Sequence, residues 1–295
     1  MSAKQILILI ITSLLICVSV VGGVYVATSF SSSFNPAYTD DGSEVTTKPI
    51  TNGRVNVLLL GVDGSTNLSD TMIIASLDTK TKTISMLSIP RDTRVKIDGY
   101  YAKINSAIGH KGREQTTIDT VIALTGIPIN YYARVNFEGF RNIIDVLGGV
   151  DIDVPMNMYY NDPEQNLHIN LKKGLQHLDG KQSEMFVRYR AGYAEGDIGR
   201  VHAQQDFLKA LIQQKLTLGN ITRAKDIYNE VKSNVTTNLT MNDILGYAHI
   251  LKGIDTSTIT QVQVPGEPQM IGGVSYWVAD VEKMDALRTQ YFITK

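Results

Sequence analysis

The sequence predicts an α/β fold of the three-layer αβα type, with a central mixed sheet flanked by helices and preceded by one transmembrane helix. Short apolar runs of strand length alternate along the chain with longer segments whose apolar residues recur at helical spacing. Hydrophobic residues make up 43% of the 295 residues, which is enough for a large core. A long uncharged stretch near the N-terminus predicts the membrane helix.

The uncharged stretch runs from Ile6 to Ala27 and has 22 residues, whereas about 20 suffice to cross a bilayer. Lys4 precedes it and the first charges after it are acidic, so the positive-inside rule places the N-terminus in the cytoplasm. A cleaved signal peptide is the alternative, but this stretch is longer than its usual apolar core and lacks a clean Ala-x-Ala site. A lipoprotein signal is disfavoured because Ile16, rather than a small residue, precedes Cys17. We therefore predict an uncleaved single-pass anchor in the cell membrane.

This anchor divides the chain into four predicted parts. They are a cytoplasmic N-terminus (1–5), the transmembrane anchor (6–27), an extracytoplasmic linker rich in Ser and Thr (28–53) and one extracytoplasmic domain (54–295). In that domain, strands are predicted at Val55–Gly61, Thr71–Leu77, Thr83–Ile89, Tyr131–Val135, Val150–Val154, Thr258–Val264 and Val274–Val278. Helices are predicted at Ile104–Thr125, Phe137–Leu147, Leu178–Val187, Val201–Leu218, Ala224–Val231, Met241–Leu251 and Val281–Tyr291.

Composition excludes several function classes. Lys and Arg number 28 and Asp and Glu 29, so the chain is no bulk polycation and we expect no nucleic-acid partner. Cys17 is the single cysteine, which excludes an intramolecular disulfide and a Cys-rich zinc site.

Two aspartates follow the pattern of a metal site. Asp63 ends the first predicted strand and Asp70 begins the second, so both carboxylates can project from one edge of the sheet. Two close carboxylates repel each other unless a cation lies between them, and Mg²⁺ suits a site with few carboxylates that phosphate oxygens and water complete. The alternative is that Asp63 is a turn residue and that Asp70 caps a loop. For either aspartate taken alone, this alternative is favoured.

A second cluster, Arg91 and Asp92, follows the third predicted strand. That strand places Arg91 at the same sheet edge as the two aspartates. The alternative is an ordinary surface ion pair between Arg91 and Asp92.

A third cluster combines arginines with a helix start. Arg188 and Arg190 lie in a segment that we interpret as extended, in which alternate side chains point the same way. Asp197 suits the N-cap of a helix that begins near Arg200, and Arg200 and Gln204 share one helix face. Guanidiniums that converge on a helix N-terminus form an anion site. Each residue alone favours a solvated surface side chain, but the three clusters together do not. Two aspartates and several arginines on a membrane-bound outer domain suggest a pyrophosphate carried on a lipid.

Seven stretches carry a family resemblance, in the expected order: NVLLLGVD (56–63), SDTMIIASLD (69–78), ISMLSIPRDTRV (84–95), KINSAIGH (103–110), VNFEGFRNIIDVLGGVDIDVP (135–155), GLQHLDGKQSEMFVRYR (174–190) and GDIGRVHAQQDFLKAL (196–211). On these the chain closely resembles the LytR-CpsA-Psr family of Gram-positive cell-wall enzymes. The resemblance implies a Mg²⁺-dependent (or Mn²⁺-dependent) phosphotransferase. It would move a glycopolymer, such as wall teichoic acid or capsule polysaccharide, from an undecaprenyl-pyrophosphate carrier to peptidoglycan, at the C6 hydroxyl of N-acetylmuramic acid.

The resemblance also implies roles for individual residues. The metal ligands would be Asp63 and Asp70, the candidate catalytic residues Asp63, Asp92 and Arg91, and the pyrophosphate-binding residues Arg91, Lys103, Arg188, Arg190, Arg200 and Gln204. Candidate walls of an apolar lipid tunnel are Val121, Leu124, Phe140, Ile144, Phe207 and Leu211, although such a stripe is also typical of ordinary core. Leu68 and Ala203 depart from the family pattern, because an arginine often stands at both positions.

Two other functions stay open. One is a non-catalytic protein that binds a lipid-linked glycan. The other is an indirect regulator of the cell envelope, since residues 1–5 are too short for a cytoplasmic helix-turn-helix.

Overall fold

A computed structural model describes residues 37–38, 44–45, 53–63, 66–163, 167–194, 196–216, 224–243, 247, 250 and 254–293. Within these ranges, no helix is both long enough and apolar enough to cross a membrane. The predicted anchor at 6–27 lies outside the described residues, so it stays a prediction. Two short strands, β1 (Ala37–Tyr38) and β2 (Glu44–Val45), pair antiparallel in the predicted linker.

The chain folds into two units, each compact in itself. The described residues 137–235 form one, which we call the insert unit. The described residues before 137 and after 235 form the other, which we call the sheet unit.

A six-stranded mixed sheet is the centre of the sheet unit. Its strands lie in the order β13-β8-β3-β4-β5-β14. Strands β3–β4, β4–β5 and β8–β13 pair antiparallel, whereas β3–β8 and β5–β14 pair parallel. Their bounds are β3 Arg54–Asp63, β4 Leu68–Asp78, β5 Thr83–Ser88, β8 Tyr131–Asn136, β13 Thr236–Thr237 and β14 Thr260–Gln263. The predicted mixed sheet is thereby confirmed.

Helices flank this sheet because alternate strand residues present an apolar face. Leu58 and Leu60 of β3 are fully buried in one cluster with Ile118 and Val121 of helix α1 (Arg113–Thr125). Met284 joins the cluster from helix α6 (Val281–Tyr291). Two hairpins complete the unit: β6 (Arg94–Ile97) with β7 (Tyr100–Lys103), and β15 (Gly266–Ile271) with β16 (Val274–Ala279).

One predicted helix is wrong in its extent. Residues Ile104–Thr125 form a 3₁₀ helix at Ile104–Gly109 and then the separate helix α1. Gly112 takes a φ of +78° between them, a left-handed conformation that stops a continuous helix. A second 3₁₀ helix, Thr256–Thr258, precedes β14.

The described part of the insert unit contains two antiparallel pairs of strands and four helices. The helices are α2 (Phe137–Val146), α3 (Gly180–Arg188), α4 (Asp197–Lys215) and α5 (Ala224–Val231). Strand β9 (Val150–Val154) pairs with β12 (Gly174–Leu178), and β10 (Met158–Asp162) pairs with β11 (Leu167–Leu171). The rings of Phe140, Phe186 and Phe207 pack together, with the Phe207 centroid 5.7 Å from that of Phe140 and 6.1 Å from that of Phe186. Part of the predicted helix Met241–Leu251 lies outside the described residues.

Candidate active site

A β-bulge sets the position of the two predicted metal ligands. In the β3–β4 ladder Gly61 pairs with Thr71 and Val62 pairs with Ser69, so Asp70 is the extra residue on its strand. Asp63 ends β3 one step further along the same hairpin. A bulge re-aims a side chain that regular pairing would fix. Both aspartates are half-buried, and they lie at the hairpin end of two adjacent strands, β3 and β4, as predicted.

Arg91 lies at this edge and forms an ion pair with Asp70. Its Nη1 is 2.7 Å from Oδ1 of Asp70, and the two side chains are only 23% and 26% exposed. The prediction that β5 delivers Arg91 to the aspartates is confirmed. Asp92 forms an ion pair with Lys103, whose Nζ lies 2.9 Å from its Oδ1.

Backbone hydrogen bonds fix the turn that carries Arg91 and Asp92. The amide of Thr93 donates to the carbonyl of Pro90 at 3.0 Å, and its hydroxyl donates to the same oxygen at 2.6 Å. The amide of Asn105 donates to the carbonyl of Arg91 at 3.1 Å. A guanidinium on a turn held at both ends is preorganised to bind an anion.

Glu184 organises the arginines at the end of α3 in the insert unit. Its two carboxylate oxygens accept from Arg188 at 2.8 Å and from Arg141 at 2.6 Å. The guanidinium carbon of Arg188 also lies 4.2 Å from the ring centre of Phe137. The prediction of an extended segment is wrong, because Arg188 is the last residue of α3 and only Tyr189 turns to extended backbone. Arg190 follows it and is exposed.

The start of α4 holds the other predicted anion-binding residues. Arg200 is almost buried, with a side chain 7% exposed, and its Nη2 lies 2.8 Å from Oδ1 of Asp197. Gln204 lies one turn further and donates to the carbonyl of Val187 at 3.0 Å. The predicted N-cap is wrong: Gly196, with φ +57°, takes that position and Asp197 is the first helical residue. The shared helix face of Arg200 and Gln204 is confirmed.

The predicted site residues therefore form two groups. Asp63, Asp70, Arg91, Asp92 and Lys103 belong to the sheet unit, and Arg188, Arg190, Arg200 and Gln204 belong to the insert unit. The predicted tunnel residues divide in the same way: Val121 and Leu124 pack in the sheet unit, and Phe140, Ile144, Phe207 and Leu211 belong to the insert unit.

The two departures from the family pattern also have defined places. Leu68 begins β4 opposite Asp63, and Ala203 is buried in α4.

A cleft in the sheet unit contains polar residues that the sequence did not single out. Asn67, Arg113, Arg134 and Asn136 line it together with Asp63. The stretch VNFEGF (135–140), which carries part of the family resemblance, is the one signal that points to Asn136.

The carboxylates of Asp63 and Asp70 are suitable ligands for a divalent cation. The described residues contain no group of three or more His, Cys, Asp or Glu side chains placed to hold a metal. Mg²⁺ commonly takes only one or two carboxylates and fills its octahedron with phosphate oxygens and water. Asp63 and Asp70 fit that preference, and the metal stays a prediction.

Comparison with known proteins covers nearly the whole chain. The model of the LytR_cpsA_psr family matches residues 21–293. The chain is 33% identical over 245 residues to the polyisoprenyl-teichoic acid–peptidoglycan teichoic acid transferase TagV of Bacillus subtilis (strain 168), which covers 79% of this chain but 62% of TagV. It is also 33% identical over 298 residues to TagU of Bacillus anthracis, covering 93% of this chain and 94% of TagU.

Solved structures agree with these matches. The crystal structure of B. subtilis TagV superposes with a TM-score of 0.72 and 30% identity, covering 82% of this chain and 97% of that one. A structure of TagT bound to LI-WTA superposes with a TM-score of 0.68 and 26% identity, covering 83% and 92%.

Proposed function

The chain belongs to the LytR_cpsA_psr family, and from that premise we propose that it transfers a teichoic acid or related glycopolymer from an undecaprenyl-pyrophosphate carrier to peptidoglycan. The names of TagV and TagU describe such a transfer from a polyisoprenyl carrier. The observation in this chain that carries the proposal is the Asp70–Arg91 ion pair beside Asp63. It combines carboxylates for a divalent cation with a guanidinium for a phosphoryl group at one sheet edge.

The proposed reaction is a phosphoryl transfer. The C6 hydroxyl oxygen of N-acetylmuramic acid attacks the sugar-side phosphorus of the carrier and forms a new P–O bond. The bridging P–O bond breaks, and undecaprenyl phosphate leaves with its electron pair. The hydroxyl proton passes to a carboxylate, for which Asp63 and Asp92 are the candidates. The product is a phosphodiester between glycopolymer and peptidoglycan.

Positioned cations stabilise the charge that spreads over the phosphoryl oxygens in the transition state. Arg91 supplies a guanidinium from a turn that hydrogen bonds already hold in place. The family resemblance assigns Arg188 and Arg200 to the pyrophosphate as well, and each forms an ion pair with a carboxylate of its own helix. Mg²⁺ or Mn²⁺, held by Asp63 and Asp70, would supply further charge neutralisation when bound.

We also propose that the chain is anchored in the cytoplasmic membrane by residues 6–27, with residues 54–295 outside. The support is the 22-residue uncharged stretch, which follows Lys4. An alkaline phosphatase fused after residue 53 should be active, because that enzyme folds only outside the cytoplasm. An inactive fusion of normal abundance would contradict this orientation.

Transfer by the purified full-length chain tests the proposed activity. The donor is a lipid-linked teichoic acid precursor, the acceptor is un-cross-linked peptidoglycan, and released undecaprenyl phosphate is measured by mass spectrometry. Asp70→Asn and Arg91→Gln should each lower the rate by about 10²-fold or more. Asp119→Asn and Lys96→Gln are matched controls, since both side chains are exposed and lie outside the site. Equal rates for Asp70→Asn, Arg91→Gln and their controls would refute the site.

Metal dependence separates transfer from mere glycan binding. EDTA should abolish release of undecaprenyl phosphate, and Mg²⁺ or Mn²⁺ should restore it. A chain that binds the donor but releases no undecaprenyl phosphate with either metal would be the non-catalytic binding protein instead.

A further inference from the structure

A polar cleft opens beside Asp63, on the sheet unit. It has a volume of about 290 Å³ and is lined by Val62, Asp63, Asn67, Ile108, Arg113, Arg134 and Asn136. Pockets for drug-sized ligands span roughly 300–1,000 Å³. The cleft therefore suits a single ring better than an extended chain.

Two residues in strained backbone conformations form one side of the cleft. Asn67, in the β3–β4 turn, has φ +51°, and Arg113, at the start of α1, has φ +29°. Nη2 of Arg113 donates to Oδ1 of Asn67 at 2.6 Å. Left-handed conformations cost a non-glycine residue about 1–3 kcal/mol and concentrate at ligand-binding sites. The turn and the helix start are thus tied together where the cleft opens.

A buried ion pair fixes another lining residue. Nε of Arg134 lies 2.7 Å from Oε1 of Glu114, whose side chain has no exposed surface. Nη2 of Arg134 donates to the hydroxyl of Thr236 at 3.2 Å. Buried ion pairs often stabilise a fold no better than apolar side chains would. Here the pair keeps the Arg134 guanidinium beside Glu114, in the cleft wall.

The chemistry of the lining is that of a sugar-binding site. Asn67 and Asn136 offer amides, Arg113 and Arg134 offer planar donors, and Asp63 offers a carboxylate. Such groups bind neighbouring hydroxyl and acetamido groups in pairs. Val62 and Ile108 add an apolar surface for the C–H face of a ring.

We propose that this cleft is the acceptor subsite, which binds the peptidoglycan sugar ring whose hydroxyl attacks the phosphorus. This assignment rests on the proposed function and deepens it. Arg91, the phosphoryl-binding guanidinium, pairs with Asp70 and does not line the cleft, whereas Asp63 does. A sugar ring bound in the cleft has its hydroxyls beside Asp63, a candidate acceptor of the hydroxyl proton, while Arg91 is left to bind the phosphoryl group.

Steady-state kinetics of the full-length chain tests this subsite. Arg113→Gln and Asn136→Ala should each raise the KM for peptidoglycan strands about tenfold, while the KM for the lipid-linked donor changes less than twofold. Lys96→Gln removes an exposed charge in the same unit and serves as the control for both constants. Near-ultraviolet circular dichroism checks that each variant is folded. A raised donor KM with an unchanged acceptor KM would assign the cleft to the donor sugar and overturn the proposal.

A binding measurement without donor separates this inference from the proposed activity. A lipid-free disaccharide-peptide of peptidoglycan is titrated onto the full-length chain and followed by saturation-transfer NMR. The wild type should show the transfer signal, and Arg113→Gln and Asn136→Ala should lose most of it. That result stands even if the wild type transfers no polymer, in which case only the proposed function fails. Equal signals from the wild type and both variants overturn the acceptor subsite, whatever the transfer rate.

Discussion

Glu114→Gln should destabilise the sheet unit by about 3 kcal/mol, the lower end of the 3–5 kcal/mol for a broken buried ion pair. The carboxylate of Glu114 is fully buried beside Arg134, so the neutral amide removes a negative charge that faces the guanidinium in a site of low polarity. The lower end applies because the Arg134 side chain is 15% exposed and keeps its hydrogen bond to Thr236. For a unit of this size, that loss lowers the unfolding temperature by about 6–12 °C.

A second variant separates charge from packing. Glu114→Gln/Arg134→Met removes both charges at similar volume, so most of the lost stability should return. Differential scanning calorimetry of the full-length chain gives the unfolding temperatures. Hydrogen exchange should show the loss in peptides of α1 and β8 but not in those of the insert unit. If the double variant is as unstable as Glu114→Gln, or if Glu114→Gln unfolds at the wild-type temperature, the reasoning is wrong.

Two further predictions concern stability. Burial opposes ionisation of Asp78, but hydrogen bonds from the amides of Thr81 and Lys80 and the charge of Arg54 hold its pKa below the usual value. The resulting stabilisation is present above about pH 4, the unfolded value, and is lost as the pH falls through the folded pKa. Asp78→Asn should therefore lower the urea midpoint at pH 7 more than at pH 3, and an equal loss at both would contradict this. Gly180→Ala would place its Cβ 2.2 Å from the carbonyl oxygen of Arg141, so we expect a loss of about 1–3 kcal/mol in urea unfolding, whereas the neighbouring exposed Lys181→Ala should be neutral.

Apolar strands were predictable because their hydrophobic runs are unmistakable. The run VNVLLLG (55–61) became β3 of the central sheet, and its neighbours became β4 and β5. Strands β10 and β11 were missed. Only part of each is buried, in a two-stranded pair, so neither forms a continuous apolar run.

The site was predictable where strand ends determine position and was not where helix caps do. Asp63, Asp70 and Arg91 follow from the ends of antiparallel neighbours in one sheet. Arg188 was placed on an extended segment because the helix predicted at Leu178–Val187 ends one residue too early, whereas the observed helix runs to Arg188.

The Glu114–Arg134 pair could not be read from the sequence. Glu114 stands in the first turn of α1, where an acidic residue ordinarily faces water and the positive helix end. Its burial depends on β8, which follows α1 in the chain and joins the sheet by parallel pairing with β3. Pairing between distant segments of the chain carries no local signal.

The pairing of β8 with β13 has a consequence for how this chain can vary. Thr236 lies opposite Arg134 in that ladder, so the chain leaves the sheet unit and re-enters it at adjacent points. When the two ends of a segment are neighbours, the entropic cost of closing it as a loop grows only slowly with the length of the segment. The 137–235 segment is thus free to gain, lose or exchange loops without shifting the register of the sheet. We expect relatives with different polymers to differ mainly there, while the strand ends that hold Asp63, Asp70 and Arg91 stay as they are.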